Sequence, residues 1–216
     1  MASIYKQRVV VLISGSGSNL QAIIDASQSE DFPAQVVAVI SNRPDVFGLQ
    51  RAQQAGIPAQ VIDHKQFGDR ESFDAALLTM IDNHTPDLVV LAGFMRILTP
   101  DFVQHYLGRM INIHPSLLPK YPGLHTHRRA LEAGDVEHGV TVHFVTAELD
   151  GGPAIVQARV EITQGDTEQA LAQKVLAQEH IIYPLAIRWF GEQRLSLNNG
   201  KTCLDGEILS PEGKRV

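Results

Sequence analysis

Asn112 and His114 are the two residues whose types and spacing best suit chemistry at a carbonyl group. They lie two residues apart in the apolar run from Met110, which predicts a β-strand with both side chains on one face. Pro115 ends this strand, and open α/β sheets bind ligands at the carboxyl ends of their strands. An imidazolium and an amide N–H at one point would stabilise the oxyanion formed when a nucleophile attacks a carbonyl carbon. Two hydrogen-bonded polar residues at a strand end are the structural alternative.

Asp150 is the candidate partner of His114. It precedes Gly151 and Gly152, which permit backbone angles that most residues avoid, so the turn can direct its carboxylate towards the end of the sheet. A carboxylate beside an imidazole favours the charged ring and would keep His114 protonated near neutral pH. An Asx-type turn, in which the carboxylate accepts from its own backbone, is the alternative.

A glycine-rich segment, GSGSN from Gly15 to Asn19, connects the first predicted strand to a helical pattern. Such a turn exposes backbone N–H groups at the start of a helix, which is typical of a phosphate site. A dinucleotide site would need glycine at Leu20 and an acidic residue at the end of the second strand, which ends in Ser41 and Asn42. The Walker sequence does not match either. A single phosphate fits better, with a plain turn capped by Ser18 as the alternative.

Three other features carry weaker signals. His125 and His127 lie two residues apart in a loop, without the helical spacing of metal ligands, so we expect no metal and interpret them as loop or substrate-contact residues. Glu179 lies at the edge of an apolar helical stripe, where a carboxylate either has a partner or faces solvent. The segment 93–98 offers backbone groups beside apolar side chains, which suits a flat heteroaromatic ring; an ordinary loop that fills the core with Phe94 and Leu98 is the alternative.

The elements that must position these residues alternate between apolar runs and helical patterns. We predict strands at 9–14, 36–41, 61–63, 88–92 and 110–114, helices at 47–55, 69–83 and 100–106, and a short helix to 133 capped by Thr126. A long helix from Thr167 is predicted with Asp166 as its N-cap and an apolar face of Leu171, Val175, Gln178 and Ile182. Alternating segments at 140–145 and 155–162 predict a β-hairpin, and 195–216 a loose terminal hairpin. The pattern predicts an α/β fold, with a Rossmann-like, mostly parallel twisted sheet, helices on both faces and an added carboxyl-terminal β-hairpin.

Composition limits the function classes. The chain has 216 residues, 44% of them apolar, and a net charge of −6, which predicts a folded domain and disfavours broad nucleic-acid binding. Its one cysteine, Cys203, excludes an intrachain disulfide framework. The first apolar run, from Val9 to Ile13, is too short for a signal sequence, and no later run approaches a membrane span. We expect a soluble cytoplasmic protein.

Four segments together resemble the folate-dependent formyltransferases. They are VVLISGSGSNL ending at Leu20, VLAGFMRIL ending at Leu98, NIHPSLLP starting at Asn112, and the stretch from HFV to DGGP that ends at Pro153. The resemblance extends from Val9 to about Trp189. The NIHPSLLP string with DGGP downstream is the specific part, whereas the glycine loop alone is a weak signal.

The resemblance implies the formyltransferase fold and transfer of the formyl group of 10-formyltetrahydrofolate, a cosubstrate, to the amine of glycinamide ribonucleotide in purine biosynthesis. It implies that Asn112, His114 and Asp150 are catalytic and that no metal takes part. The ribonucleotide-binding residues that it implies are Gly17, Ser18, Asn19, Leu176, Ala177, Gln178 and Glu179. The formylfolate-binding residues that it implies are Arg70, Met95, Arg96, Ile97, Leu98, Asn112, Thr146, Ala147, Glu148, Leu149 and Asp150.

Other activities share these three catalytic residues. A formyltetrahydrofolate deformylase or another folate-dependent formyltransferase is the alternative, although a deformylase usually carries an extra amino-terminal domain. A member acting on transfer RNA would need a second, basic domain, for which the length and the charge of −6 leave no room. A non-catalytic nucleotide-binding module would need the glycine loop but not the three residues.

We expect a single domain over residues 1–216. Within it, residues 1–109 are predicted to bind the ribonucleotide, 110–190 to carry the catalytic and folate-binding half, and 191–216 to form a tail. The expected partners are small-molecule substrates, neither nucleic acid nor membrane, and the expected state is a monomer or a weak homodimer.

Overall fold

The computed structural model describes residues 5–216, so the first four residues of the predicted half 1–109 lie outside the described range. The chain divides into two compact units, Met1–Ile111 and Asn112–Val216. Each unit contains one group of the predicted site residues. That the whole chain acts as a single domain stays a prediction.

Parallel strands form the centre of the first unit. They are β1 (Gln7–Ile13), β2 (Ala34–Ser41), β3 (Ala59–Val61) and β4 (Leu88–Leu91), in the order β4-β1-β2-β3 with every pairing parallel. The strand β5 (Met110–His114) begins beside β4. All side chains from Val9 to Ile13 are buried, as expected for a strand covered on both faces. The third strand lies slightly earlier than predicted. The Val39 N–H donates to the Pro58 carbonyl and the Ile62 N–H donates to the Ser41 carbonyl, so the segment 59–61 pairs with β2.

Four α-helices follow the strands of the first unit. They are α1 (Ser18–Ser27), α2 (Phe47–Gln54), α3 (Arg70–Asp82) and α4 (Pro100–His105). The helix α1 packs on α2, and α3 packs on α4. Local capping explains where α3 and α4 begin, because Asp69 accepts from the Ser72 N–H and Thr99 accepts from the Phe102 N–H. The predicted helices are confirmed, with ends that differ by about one residue.

The second unit contains the predicted hairpin. Its main elements are α5 (Thr126–Glu132), β6 (Glu137–Phe144), β7 (Ala154–Glu161) and α6 (Glu168–Gly191). The strands β6 and β7 pair antiparallel, and β6 lies beside the end of β5. The helix α6 packs on both hairpin strands and on α5. The Rossmann-like α/β class, with mostly parallel strands and an added hairpin, is therefore confirmed.

Two predicted helix caps are wrong. Thr167 caps α6, because its Oγ1 accepts from the Ala170 N–H at 3.1 Å, whereas Asp166 binds Lys174 Nζ at 2.6 Å. Thr126 is the first residue of α5, and His125, with a φ of 58°, is its N-cap. Asp166 and Thr126 both have side chains that often cap helices, but in each case the residue next to the predicted one is the N-cap.

The predicted loose hairpin at 195–216 is also wrong. The segment forms a three-stranded antiparallel sheet of β8 (Leu195–Asn198), β9 (Lys201–Leu204) and β10 (Glu207–Ile208). A last strand, β11 (Lys214–Arg215), pairs in parallel with β7. Leu195, Cys203 and Leu204 are buried, so these few apolar residues give the tail a packed side. Within residues 5–216, no helix is both long and apolar enough to cross a bilayer.

Candidate active site

The second unit brings His114 and Asp150 together. His114 Nδ1 lies 3.5 Å from Asp150 Oδ2, and each side chain is 8% exposed. The other ring nitrogen, Nε2, lies 2.8 Å from the carbonyl oxygen of Tyr121. Each ring nitrogen of His114 therefore faces an oxygen that can accept a hydrogen bond.

The turn after β6 directs the Asp150 carboxylate. Asp150 has a φ of 52°, in the left-handed region. Gly152 is needed two residues later, because a Cβ there would lie 1.8 Å from the carbonyl oxygen of Phe144. Asp150 Oδ2 accepts from the Gly123 N–H at 2.8 Å. The carboxylate therefore accepts a hydrogen bond from the loop that contains Gly123 and also faces His114, which disfavours the Asx-turn alternative.

His143, which the sequence analysis did not include among the site residues, connects Asn112 to this pair. Its Nδ1 lies 2.8 Å from the Phe144 carbonyl oxygen and must carry the hydrogen, so its Nε2 accepts from Asn112 Nδ2 at 3.2 Å. Burial lowers the pKa of His143, although the Phe144 carbonyl and Asp150 act in the opposite direction. Nε2 of the neutral ring also lies 3.9 Å from Asp150 Oδ1. Asn112, His143, Asp150 and His114 thus form one contiguous group.

A polar residue among apolar neighbours was the available signal for His143. It lies between the buried residues Val142 and Phe144, on the strand that leads into the Asp150 turn. Asn112 is half-buried, and its Nδ2 contacts His143 Nε2. An amide nitrogen carries two hydrogens, so this contact uses one of them.

His127 and His138 form a separate arrangement, and His127 lies on α5 rather than in the predicted loop. His127 Nδ1 lies 3.2 Å from His138 Nε2. Burial lowers the pKa of His138 to about 4 and also lowers that of His127. His125 is exposed and caps α5 through its backbone. Within residues 5–216, no cluster of three histidine, cysteine, aspartate or glutamate side chains forms a candidate metal site.

In the first unit, the glycine-rich loop presents backbone amides at the start of α1. Gly17, with a φ of 72°, is the N-cap, so the alternative with Ser18 as the cap is wrong. The first helical hydrogen bond runs from the Gln21 N–H to the Gly17 carbonyl, at 2.9 Å. The N–H groups of Ser18 and Asn19 therefore precede the helical bonding pattern and suit an anion.

The helix α2 supports this loop through contacts that the sequence analysis missed. The Gly48 N–H donates to the Gly15 carbonyl at 3.1 Å, and Arg51 Nε donates to the Ser16 carbonyl at 2.9 Å. A Cβ on Gly17 would lie 2.8 Å from the Cα of Gly48, so this approach also requires glycine. The loop is thus held by backbone contacts, with a cation beside it.

The other first-unit residues lie on α3 and on the loop after β4. Met95 and Ile97 are both 60% exposed, whereas Arg96 and Leu98 are half-buried. Phe94 is buried, so the loop both fills the core and exposes apolar side chains. Arg70 starts α3, with 43% of its side chain exposed.

The other second-unit residues lie on the Asp150 loop and on α6. Ala147, Glu148 and Leu149 are exposed, and Thr146 is half-buried. On α6, Leu176 and Gln178 are half-buried and Ala177 is exposed. Gln178 was predicted on the apolar face, but Glu179 takes that position and is buried with Leu171 and Val175, because it follows Val175 by four residues, close to one helical turn.

The fold and the grouped polar residues define a class of transferase that acts on a carbonyl group. The chain belongs to the formyl transferase family, whose model matches residues 7–187. The resemblance stated from the four segments is therefore confirmed.

Individual relatives agree with this family. The chain is 58% identical over 205 residues to the phosphoribosylglycinamide formyltransferase of Escherichia coli strain K12, covering 95% of this chain and 97% of that protein. It is 47% identical over 199 residues to the human trifunctional purine biosynthetic protein adenosine-3, covering 92% of this chain and 20% of that protein. It is also similar to the structure of phosphoribosylglycinamide formyltransferase from Coxiella burnetii, with a TM-score of 0.94 and 55% identity over 97% of this chain and 99% of that one.

Proposed function

We propose that this chain transfers the formyl group of 10-formyltetrahydrofolate to the amine of glycinamide ribonucleotide, releasing formylglycinamide ribonucleotide and tetrahydrofolate. The contiguous group of Asn112, His143, Asp150 and His114 carries this proposal, because it combines two hydrogen-bond donors with a carboxylate. Family membership supports the formyl transfer, and the relatives named phosphoribosylglycinamide formyltransferase support the amine substrate.

The first chemical step forms the new C–N bond. The amine nitrogen attacks the formyl carbon, and the carbonyl π electrons move to the oxygen. The Asn112 N–H that does not contact His143 donates to this oxygen. The His114 Nε2–H leaves the Tyr121 carbonyl and donates to the same oxygen. Donors organised in advance around such an oxygen contribute about 3–4 kcal/mol each in other acyl-transfer enzymes.

The second step expels the folate. The oxyanion collapses, the bond from the formyl carbon to N10 breaks, and N10 takes up a proton while the attacking amine loses one. Asp150 balances the charge of His114 from 3.5 Å and orders the water that carries this proton. Each step uses the two substrates, water and side chains of this chain.

Substrate binding is assigned to the residues that the family resemblance implies. The amides of Gly17, Ser18 and Asn19 hold the ribonucleotide phosphate at the start of α1, where α2 supports the loop. Glu179 accepts from the ribose hydroxyls and is flanked by Leu176, Ala177 and Gln178.

The formylfolate contacts are assigned in the same way. Met95, Arg96, Ile97 and Leu98 contact its ring system, and Arg70 lies near its glutamate tail. Thr146, Ala147, Glu148, Leu149 and Asp150 also contact the folate, and Asn112 contacts the formyl group.

A spectrophotometric assay of a formyl donor tests the proposal. The purified chain is mixed with a folate-analogue donor, with and without glycinamide ribonucleotide, and the loss of the donor is followed. We expect loss only when the amine is present. Loss without the amine would indicate a deformylase, and titration that detects the ribonucleotide but not folate would indicate a non-catalytic module.

We also propose that residues 1–216 act as one domain, as a monomer or weak homodimer, on small molecules. The net charge of −6 supports this choice of partners over nucleic acid. Sedimentation velocity across protein concentration measures the state of association.

A further inference from the structure

We propose that Ser14 and Asp74 are positioning residues that hold the loop 93–99 in the conformation that receives the formylfolate ring. This inference rests on the proposed function, which assigns Met95 to Leu98 to that ring. Neither Ser14 nor Asp74 was singled out in the sequence, because each contacts the loop across a long separation along the chain.

Ser14 anchors the start of the loop. It is 4% exposed and immediately follows β1. Its Oγ accepts from the Met95 N–H at 2.7 Å and donates to Asn42 Oδ1 at 2.5 Å. A hydroxyl has one hydrogen, so donation to Asn42 fixes its lone pairs for the Met95 amide. Asn42, the residue after β2, is fully buried, so the anchor of the loop is itself in the core.

Asp74 anchors the end of the loop. It is 3% exposed on α3, and its Oδ2 accepts from the Thr99 N–H at 2.6 Å. A charged acceptor makes a stronger hydrogen bond than a neutral one. Thr99 also caps α4, so Asp74 fixes the point at which the loop becomes a helix.

The chain between the anchors is left with an exposed apolar surface. Met95 and Ile97 are 60% exposed, while the Arg96 guanidinium lies 5.4 Å from the centre of the Phe73 ring. Phe73 and Asp74 are neighbours on α3, so one helix contacts the loop at two points. A loop held in its binding conformation loses less entropy when a ring docks on it.

The chemistry of Asp74 suggests a role beyond stability. Its Oδ1 is buried, and within residues 5–216 it has no hydrogen-bond partner. Burying a carboxylate oxygen without a partner costs free energy, which an apolar residue at this position would avoid. Holding the Thr99 amide in one place is a reason to keep the carboxylate.

Asp74→Ala, Asp74→Asn and Ser14→Ala test the proposal, with Asp82→Ala as the matched control. Asp82 also lies on α3 and joins a neighbouring element, since it accepts from the Tyr106 hydroxyl at 2.8 Å. We expect Asp74→Ala and Ser14→Ala to raise the KM for formylfolate about tenfold, with the KM for the ribonucleotide changed less than about twofold. Asp74→Asn keeps a side-chain oxygen for Thr99 and should recover most of the wild-type KM. Thermal melting of each variant, and titration of a folate analogue that cannot transfer its group, are measured in parallel.

The control separates positioning from stability. Asp82→Ala should lower the melting temperature and leave both KM values unchanged. If Asp74→Ala and Ser14→Ala also melt earlier but keep the wild-type KM and the wild-type affinity for the folate analogue, the positioning role is refuted. If Asp74→Ala does not fold, the KM and the folate-analogue affinity of Ser14→Ala alone decide whether the positioning role holds. Absence of amine-dependent transfer by the wild type refutes the proposed function instead, and that result is seen before any variant is compared.

Discussion

At His114, the ring is oriented by two acceptors before a substrate arrives. Nδ1 lies 3.5 Å from Asp150 Oδ2 and Nε2 lies 2.8 Å from the Tyr121 carbonyl oxygen, so both ring nitrogens face an acceptor. To reach the substrate oxygen, His114 Nε2 must leave the Tyr121 carbonyl, while Nδ1 can keep its contact with Asp150. The carboxylate is the part of this arrangement that carries the opposite charge, and it can be neutralised with little change in shape.

Asp150→Asn removes that charge and keeps an oxygen for the Gly123 amide. We expect kcat at neutral pH to fall by about 100-fold or more, with smaller changes in either KM, because the contact acts mainly on the transition state. Steady-state kinetics with both substrates varied provide the measurement. Asp205→Asn, in the terminal sheet, is the control, and a near-normal kcat in Asp150→Asn would contradict the assigned role.

His143→Phe tests the link to Asn112. The substitution removes the acceptor for Asn112 Nδ2 and frees the amide to rotate, so we expect kcat to fall about tenfold. His143→Gln offers a side-chain oxygen in place of Nε2 and should lose less. Equal kcat values in wild type, His143→Phe and His143→Gln would show that the orientation of Asn112 does not depend on this residue.

At the scale of elements, α1 and α2 act together on the glycine-rich loop. The start of α1 supplies the amides, and α2 sets the path of the backbone through Gly48 and Arg51. A phosphate bound there, as proposed, would interact with the dipole of α1 and with the charge of Arg51.

Arg51→Met keeps most of the side-chain stem and removes the donor to the Ser16 carbonyl. We expect the KM for the ribonucleotide to rise about three- to tenfold, with kcat and the KM for formylfolate nearly unchanged. Initial rates at varied ribonucleotide concentration test this, with Arg159→Met on β7 as the control. A change in the KM for formylfolate instead would contradict the assignment of Arg51 to the ribonucleotide site.

The sequence predicted the helices and strands better than it predicted the side chains that hold the site residues in place. The apolar run Met110–His114 predicted β5, and the DGGP turn predicted the β6–β7 hairpin. The same two segments contain the candidates Asn112, His114 and Asp150. These predictions were possible because the spacing of apolar residues and the residue preferences of turns are local properties of the chain. His143, Ser14 and Asp74 were missed as site residues, since their roles depend on partners brought together only by folding. The cap of α6 was misplaced for a local reason: Asp166 and Thr167 are adjacent candidates, and the contact of Asp166 with Lys174 decides between them.

At the scale of the whole molecule, buried and half-buried histidines connect stability to pH. Burial lowers the pKa values of His84, His127, His138 and His143. The folded state therefore binds fewer protons than the unfolded state at mildly acidic pH, and stability rises with pH in this range. These groups stabilise the folded state above their unfolded pKa near 6.5, and that contribution is lost as the pH falls.

His138 has the lowest stated pKa of this set, about 4, and it faces His127, Asp135 and His114. Between pH 6.5 and 4, one such histidine changes the free energy of unfolding by at most about 1.4 kcal/mol per pH unit. We expect the urea midpoint of the wild type to be lower at pH 5.5 than at pH 7.5, and the difference to be smaller in His138→Gln. The comparison uses the change with pH within each protein, so a uniform loss of stability in the variant does not affect it. Asp135 does not confuse the result, because its pKa is lowered from 3.8 and it stays charged across this window. An equal pH dependence in both proteins would mean that His138 takes up its proton in the folded state as readily as in the unfolded chain.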